Sequence, residues 1–462
     1  VAGGAALSQG ITFLAAPVLT RLYTPADFGL FGTYGAVVAL GAVASGLRYE
    51  LAVALPKGQV EAANVAALAA TATVVLPAVM LVIIVLLPAV CQCEWGDSAL
   101  VPYLWALPLG VAAAGLYQVA TYRALRYQAF RAISISRICQ SFSAAGLQLL
   151  LGWAGWNALG LMAGSVASHL VGMVSLVAGT RKGLRREWAV IRWRRMRLLG
   201  RRYDRFPRFS VFEGLAMVAG MQLPILLLAA SFAATVVGQF VLAVQVAQAP
   251  LRLLGGAVGQ VFVSQAAQYR WSDRLDELVA DAFRMLARLG IVPLALFAVI
   301  APDAFVLVFG DQWQLAGIHA RWMTPLLTAE FLFLPLSAVI AVTEHQRTAL
   351  ITRVLLVALP ALTIQSIAWS SGDPQAAVKA FSLVGLVAYL AYGAWLMKIS
   401  GVRAAVWLKI LMREVALAIP TVAALIGAKL WLGSPLPAPA FAGLGVVAAA
   451  TWLLFVVRRM QR

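Results

Sequence analysis

The sequence predicts an all-α polytopic membrane protein with about fourteen transmembrane helices. Three observations carry that prediction. Only 12% of the residues are charged against 62% hydrophobic, and mean hydropathy is +0.87, so a soluble domain of this length would lack a charged surface. Apolar runs long enough to match the hydrocarbon thickness of a bilayer recur along all 462 residues. Runs such as LPAVMLVIIVLLPAV (Leu76 to Val90) lack the alternation of polar and apolar residues that a membrane β-barrel requires.

The expected spans are 2–22, 28–47, 63–90, 99–121, 133–153, 158–180, 209–230, 235–264, 279–301, 318–343, 349–369, 376–397, 410–431 and 438–457. The first runs from GITFLAAPVL into TRLYTPADFG with no small-residue cleavage site, so it reads as a retained span rather than a signal peptide. Thr24-Pro25-Ala26-Asp27 starts the second as an N-cap, a first-turn proline and an acidic third position. Ser210-x-x-Glu213 reads as a capping box opening the seventh, although Glu213 also has the chemistry of a gate or coupling residue. Pro17, Pro77, Pro108, Pro224, Pro250, Pro293, Pro335 and Pro360 fall inside spans. Spanning helices tolerate proline, which bends them. Pro224 and Pro250 are the expected hinges; the alternative is helices that simply pack bent.

Charge supplies the orientation. Alternate loops, beginning after the second span, hold 31 of the 36 Lys and Arg, and Arg21, Arg252, Arg321, Lys379 and Lys429 are the remainder. Such a bias at every second loop follows the positive-inside rule, supports an even helix count and places both termini in the cytoplasm. The densest cluster, twelve Lys and Arg between Arg181 and Arg208, then lies in the middle cytoplasmic loop. Orientation and anionic inner-leaflet lipid account for the net charge of +18 without nucleic acid. REWAVIRWRRMRLLGRR interleaves Trp188, Ile191 and Trp193 with arginines and is expected to lie flat in the headgroup region.

Catalytic chemistry is not expected. Three His and three Cys show no zinc-type spacing, no phosphate loop of the Gly-x4-Gly-Lys-Ser/Thr type occurs, and neither metal nor cofactor is anticipated. Cys91 and Cys93 share a short outer loop, where a disulfide would close a very small ring.

Six spans precede the basic loop and eight follow. TPADFGLF (Thr24 to Phe31) and AATVVGQF (Ala233 to Phe240) sit at equivalent places in the two halves, each a tight turn with a glycine and a phenylalanine. Internal repeats of this kind are a common transporter plan. The stretch RRYDRFPRFSVFEGLAMVAGMQLPILLLAASFAATVVGQFVLAVQVAQAPLRLLGGAVGQVF resembles the start of the second half of bacterial polysaccharide flippases, the transporters of O-antigen, capsule or exopolysaccharide repeat units. TRLYTPADFGLFGTY, LRYELAVALPKGQVEAANV and VFGDQWQLAGIHARWMTPLL leading into PLSAVIAV resemble the same family, so that the likeness runs from about residue 5 to 400. The superfamily also holds multidrug, oligosaccharidyl-lipid and polysaccharide exporters. The resemblance implies two six-helix bundles related by a pseudo-two-fold plus a C-terminal helix pair: 1–180, a basic linker 181–208, 209–400, and 401–462. It implies alternating access in the inner membrane. Undecaprenyl-diphosphate-linked oligosaccharide would be the substrate, membrane lipid a partner, and a polysaccharide polymerase a neighbour.

Candidate site residues are the ionisable ones at membrane depth, where charge is costly. Arg252, just after Pro250, is expected to grip a diphosphate bidentately, unless it snorkels to headgroups. Arg21 ends the first span, where it meets substrate phosphate, Asp27 or outer headgroups. Arg48 and Glu50 in RYELAV form either a cytoplasmic gate or entry site, with Arg48 binding substrate, or an ordinary ion pair at an exposed helix end, which would be worth little. Glu330, expected near the middle of the tenth span, suits proton carriage, a cationic partner or a sugar hydroxyl; Arg321, a gate or coupling candidate, is more than two turns away and a poor partner for it. Two alternatives stay open. A cation-coupled multidrug exporter would favour acids in the first six spans, which are few here. A membrane polymerase or ligase would show a large outer loop.

Overall fold

The computed structural model describes residues 2–91, 99–181, 184–268, 274–343 and 345–431, with positions 443, 445, 447, 449, 451 and 452 near the C-terminus. Among the described residues there is no strand, and thirteen helices have twenty residues or more. They are α1 (Ala2–Leu22), α2 (Pro25–Ser45), α3 (Gln59–Cys91), α4 (Ala106–Arg126), α5 (Phe130–Trp153), α6 (Asn157–Gly179), α7 (Val211–Ser231), α8 (Ala234–Gln268), α9 (Leu275–Phe309), α10 (Gln314–Phe333), α11 (Gln346–Ser370), α12 (Pro374–Ile399) and α13 (Ala404–Trp431). These match the first thirteen expected spans. The fourteenth, 438–457, lies mostly outside the described residues, as does Cys93. Eight of the thirteen carry a stretch long and apolar enough to cross a membrane by composition alone. The others hold polar groups that lower their hydropathy, such as Arg131, Arg137 and Gln148 in α5 or His319, Arg321 and Glu330 in α10. The protein is an all-α polytopic membrane protein.

Local chemistry sets the ends. Thr24 accepts from Asp27 N, and the Asp27 carboxylate accepts from Thr24 N at 2.9 Å, so the expected capping box starts α2 behind Pro25. Asp373 is a simple N-cap of α12, accepting from Gln375 N at 2.9 Å. Two expectations need correction. The ninth span extends to 35 residues because its charged start stays helical. Asp276 and Glu277 suit the helix N-terminus, and Arg274–Glu277 and Arg284–Asp281 pairs line its exposed side. The tenth span is not one helix: α10 stops at Phe333, a 3-10 turn covers Leu334–Ala338, and a short helix Val339–Val342 follows. Pro335 removes a main-chain donor there. By contrast, α7 runs through Pro224 and α8 through Pro250 without interruption.

The chain forms two compact units, one of residues 1–229 with 233–238, the other of 230–232 with 239–462. In the first, α5 packs on α6 and α1, and α4 packs on α2, α3 and α6. Tyr34, Val38, Leu107, Val111 and Met162 form one core cluster, and the buried Tyr23 hydroxyl donates to Gln148 O at 2.7 Å. The first turn of α8 belongs to this unit and lies against the first turn of α2. A Cβ at Gly29 would stand 1.8 Å from Ala234 O, and a Cβ at Gly238 would stand 1.8 Å from Pro25 O. The contact is reciprocal: each glycine meets the carbonyl four residues before the other. These are the glycines of the two repeated segments, so the repeat in sequence is a two-fold contact in space.

In the second unit α9 packs on α10 and α13, and α12 on α10 and α11. Its core centres on Phe283, whose ring stacks on Phe333 at 5.5 Å and meets Trp407 edge-on at 6.5 Å. The buried Gln239 amide donates to Gln312 O at 2.6 Å and accepts from Ala316 N at 2.8 Å, tying α8 to the start of α10.

Candidate functional site

The break after α2 concentrates unusual chemistry. Leu47 and Arg48 both take left-handed backbone angles, φ 50° and 58°, which non-glycine residues rarely adopt and which cost of order 1 kcal/mol or more each. The chain then turns through the short helix Tyr49–Ala52, burying Glu50 to 1% exposure. Arg48 Nη1 lies 3.7 Å from Glu50 Oε1, beyond hydrogen-bonding distance. Arg48 Nε and both Glu50 oxygens have no hydrogen-bond partner. The guanidinium occupies the space that a Cβ at Gly214 in α7 would fill, so glycine leaves room for it. The pair is therefore not the exposed helix-end pair that the sequence left open. The turn folds it inward, and water no longer screens it.

Burial raises the Glu50 carboxyl above its usual range, an effect that its own main-chain N–H and the nearby Arg48 offset only in part. A carboxyl raised in the folded state stabilises the fold below its unfolded pKa, and that contribution is lost as pH rises through the folded value. Wild type should thus lose thermal stability relative to Glu50→Gln as pH climbs above the usual carboxylate range. Parallel unfolding temperatures across that climb would count against an ionising Glu50.

A firmer network holds the basic linker. Arg123 on α4 is 9% exposed and donates through Nε and Nη2 to the two Glu187 oxygens at 2.9 and 3.0 Å. Its Nη1 donates to Thr180 Oγ1 at 2.6 Å, while the Tyr127 hydroxyl donates to Glu187 at 2.7 Å. The Asn64 side chain adds a clamp, donating to Val190 O at 3.1 Å and accepting from Arg192 N at 2.9 Å. The single interfacial helix expected across this loop is instead two, Leu184–Val190 and Trp193–Arg202, because Asn64 takes up the backbone groups at the break. Met196 and Leu199 are buried, while Trp188, Trp193, Leu198, Arg192, Arg194, Arg195 and Arg197 face outward.

Other candidates fall in place individually. Arg21 is exposed in the last turn of α1 and makes no ion pair among the described residues; Asp27, its supposed partner, is taken by Thr24. The Ser210–Glu213 capping box does not form. Phe206–Ser210 is one π turn continuous with α7, with Val211 N donating to Phe206 O, so no free helix start remains to cap. Glu213 is exposed beside Gly214. The helix position of Arg252 is within α8, but its side chain lies outside the described residues, as does that of Pro250.

Arg321 has a structural role. Pro302 in α9 lacks the N–H that would bond to Ala298 O. Arg321 Nε donates to that oxygen at 3.1 Å and Nη2 to Val299 O at 3.3 Å. Arg321→Ala should cost about 1 kcal/mol in wild type. It should cost almost nothing in a Pro302→Ala background, where a main-chain N–H serves Ala298. A double-mutant cycle on thermal unfolding tests this, and equal costs in both backgrounds would remove the assignment.

Glu330 is not mid-helix. It sits in the last turn of α10, where its carbonyl accepts from Leu334 N at the break before Pro335. The charges of Glu330 and of Arg353 on α11 both reach Tyr389 on α12. Tyr389, Tyr392, Trp395 and His345 continue as a ladder of rings, with successive centroids 6.3, 6.0 and 6.5 Å apart. Arg353 and Tyr389 escaped the sequence reading because one sits near a basic loop and the other in an ordinary apolar pattern. Glu414 escaped it too: it is 2% exposed on α13 and lies 3.6 Å from Arg288 of α9.

Residues 18–316 match the family described as "Polysaccharide biosynthesis protein". The chain belongs to that family. No curated protein sequence matches it. Among solved structures, the polysaccharide biosynthesis chain is similar to the lipid II flippase MurJ in an inward closed conformation, with TM-score 0.67 and 10% identity over 99% of both chains. It is similar to an inward-facing multidrug resistance MATE family transporter of the MOP superfamily, with TM-score 0.63 and 15% identity over 85% of this chain and 95% of that one. A MOP superfamily transporter from Pyrococcus furiosus matches with TM-score 0.51 and 14% identity over 86% and 93%. At such identities the likeness is one of fold. The polysaccharide biosynthesis match runs from the end of α1 to the start of α10, including Arg48, Glu50, Arg123 and the two glycines of the reciprocal contact.

Proposed function

We propose that the protein flips undecaprenyl-diphosphate-linked oligosaccharide repeat units from the cytoplasmic to the periplasmic leaflet by alternating access, as a transporter rather than an enzyme. One observation carries the reading: a chain of the polysaccharide biosynthesis family shares its fold, over 99% of both lengths, with a lipid II flippase. A glycan bearing a diphosphate needs a cationic, polar route through hydrocarbon, while its prenyl tail can remain in lipid. Arg48 and Arg252 are the residues proposed to meet the diphosphate, and Glu330 with the Tyr389 ladder to meet sugar. Arg21 is assigned to release. The positive-inside count supports a cytoplasmic position for both termini, in keeping with an inner-membrane protein. The exposed linker tryptophans and arginines suit anionic lipid.

The fold likeness to a multidrug MATE transporter favours a second reading, a cation-coupled exporter. A deletion strain of the native host separates the two. Accumulated lipid-linked repeat units with lost surface glycan, both restored by the gene, support the flippase. Unchanged glycans with altered sensitivity to cationic drugs support the exporter. An Arg252→Ala protein that is present in the membrane should fail to restore the glycan.

A further inference from the structure

We propose that Arg48 and Glu50 form an exchange site in which a phosphate oxyanion takes Arg48 away from Glu50 and Glu50 takes up a proton. The inference rests on the flippase reading only for the identity of the natural anion.

The geometry is that of an interaction poised but not made. A half-buried guanidinium with an enclosed, unused Nε stands 3.7 Å from a carboxylate with both oxygens unused, and the segment carrying Arg48 holds two left-handed residues in succession. Removing a partner from a buried charge pair is normally costly, because it leaves a bare charge in low dielectric. Two events together remove that cost. The anion supplies acceptors to Arg48, and a proton from solvent neutralises Glu50, so that no bare charge remains. The overall change is one anion bound and one proton taken up. Arg48 is the partly exposed member and Glu50 the enclosed one, with side-chain exposures of 12% and 2%, so the anion meets the arginine first.

Among the described residues of the elements packed on it, no other charge stands ready to neutralise Glu50. The short helix that carries it packs on α3, α4 and the π turn before α7. On α3, Glu61 pairs with Arg202 at 3.8 Å. On α4, Arg123 is held by Glu187, and Arg126 donates to Val53, Ala54 and Gly58 carbonyls. On the π turn, Arg208 pairs with Asp204 at 3.1 Å. Glu213, exposed at the start of α7, is a further carboxylate and offers Glu50 no positive charge. The same burial that raises Glu50 makes protonation the accessible response when Arg48 leaves.

Calorimetric titration of the purified full-length protein in detergent tests the proposal, with inorganic pyrophosphate as the probe. Two buffers of different ionisation enthalpy at one pH report the protons exchanged. Wild type should take up protons on binding, approaching one per anion. Glu50→Gln should bind with no uptake and about tenfold tighter, since Arg48 then has no carboxylate to leave. Arg48→Gln should weaken binding about tenfold or more. Glu50→Asp, which still titrates, should keep the uptake and guards against misfolding of the amide variant. Farnesyl diphosphate in micelles provides the second arm. The same signature with both probes assigns the site to the diphosphate itself, and a response to the anchored form alone assigns it to a headgroup in the membrane plane. Unchanged proton uptake in Glu50→Gln, unchanged affinity in Arg48→Gln, or binding of neither probe to wild type would overturn the exchange. The flippase reading stands or falls separately, on glycans in the deletion strain.

Discussion

Gly29→Ala and Gly238→Ala each destabilise the protein by about 3 kcal/mol, and the double variant by far less than the sum. Each added methyl would stand 1.8 Å from a main-chain carbonyl oxygen, and a carbonyl inside a helix cannot rotate aside as a side chain would. The helices must separate instead. Once the first methyl has pushed α2 and the first turn of α8 apart, the second enters space already opened, so the costs overlap. Thermal unfolding of the three purified variants measures this. Additive losses would mean that the two glycines do not share one contact.

Glu187→Ala loosens the linker. It leaves the buried Arg123 guanidinium without its bidentate acceptor and removes the Tyr127 hydrogen bond, a loss of about 3 kcal/mol. That corresponds to roughly a hundredfold rise in local opening of the segment from Leu184 to Arg202. The linker is rich in arginine, so limited trypsin digestion reads the opening directly: cleavage there should accelerate by about that factor while the rest of the chain keeps its rate. Glu187→Gln, which keeps the shape and one acceptor, should lie between. Equal cleavage of wild type and Glu187→Ala would show that the Asn64 clamp alone holds the linker.

Much of the architecture was legible from periodicity and composition, because apolar length is set by the bilayer and reads without tertiary context. Caps at Thr24 and Asp27 were legible because they are local: donor and acceptor lie three residues apart. The Ser210–Glu213 box failed for the converse reason. The same spacing occurs inside a continuous helix, where the π turn before α7 already occupies the main-chain donors. Glu330 was misplaced because Pro335 acts as a terminator only in this context, whereas α7 and α8 absorb Pro224 and Pro250 without a break.

The sequence by itself determined the class, the spans, the charge bias and the repeat, all of which depend on hydrophobicity and short-range spacing. Only the tertiary structure decided the fate of the charged residues. It folded Arg48 inward beside the buried Glu50, turned Arg321 onto the carbonyl left by Pro302, joined Arg123 to Glu187 across 64 positions, and set Gly29 against Gly238. The physical reason is that a charge or a glycine carries no record of its partner. Its energy is settled by what lies within a few ångströms after folding, and at these sites that neighbour comes from another helix or from a backbone turn that composition does not announce.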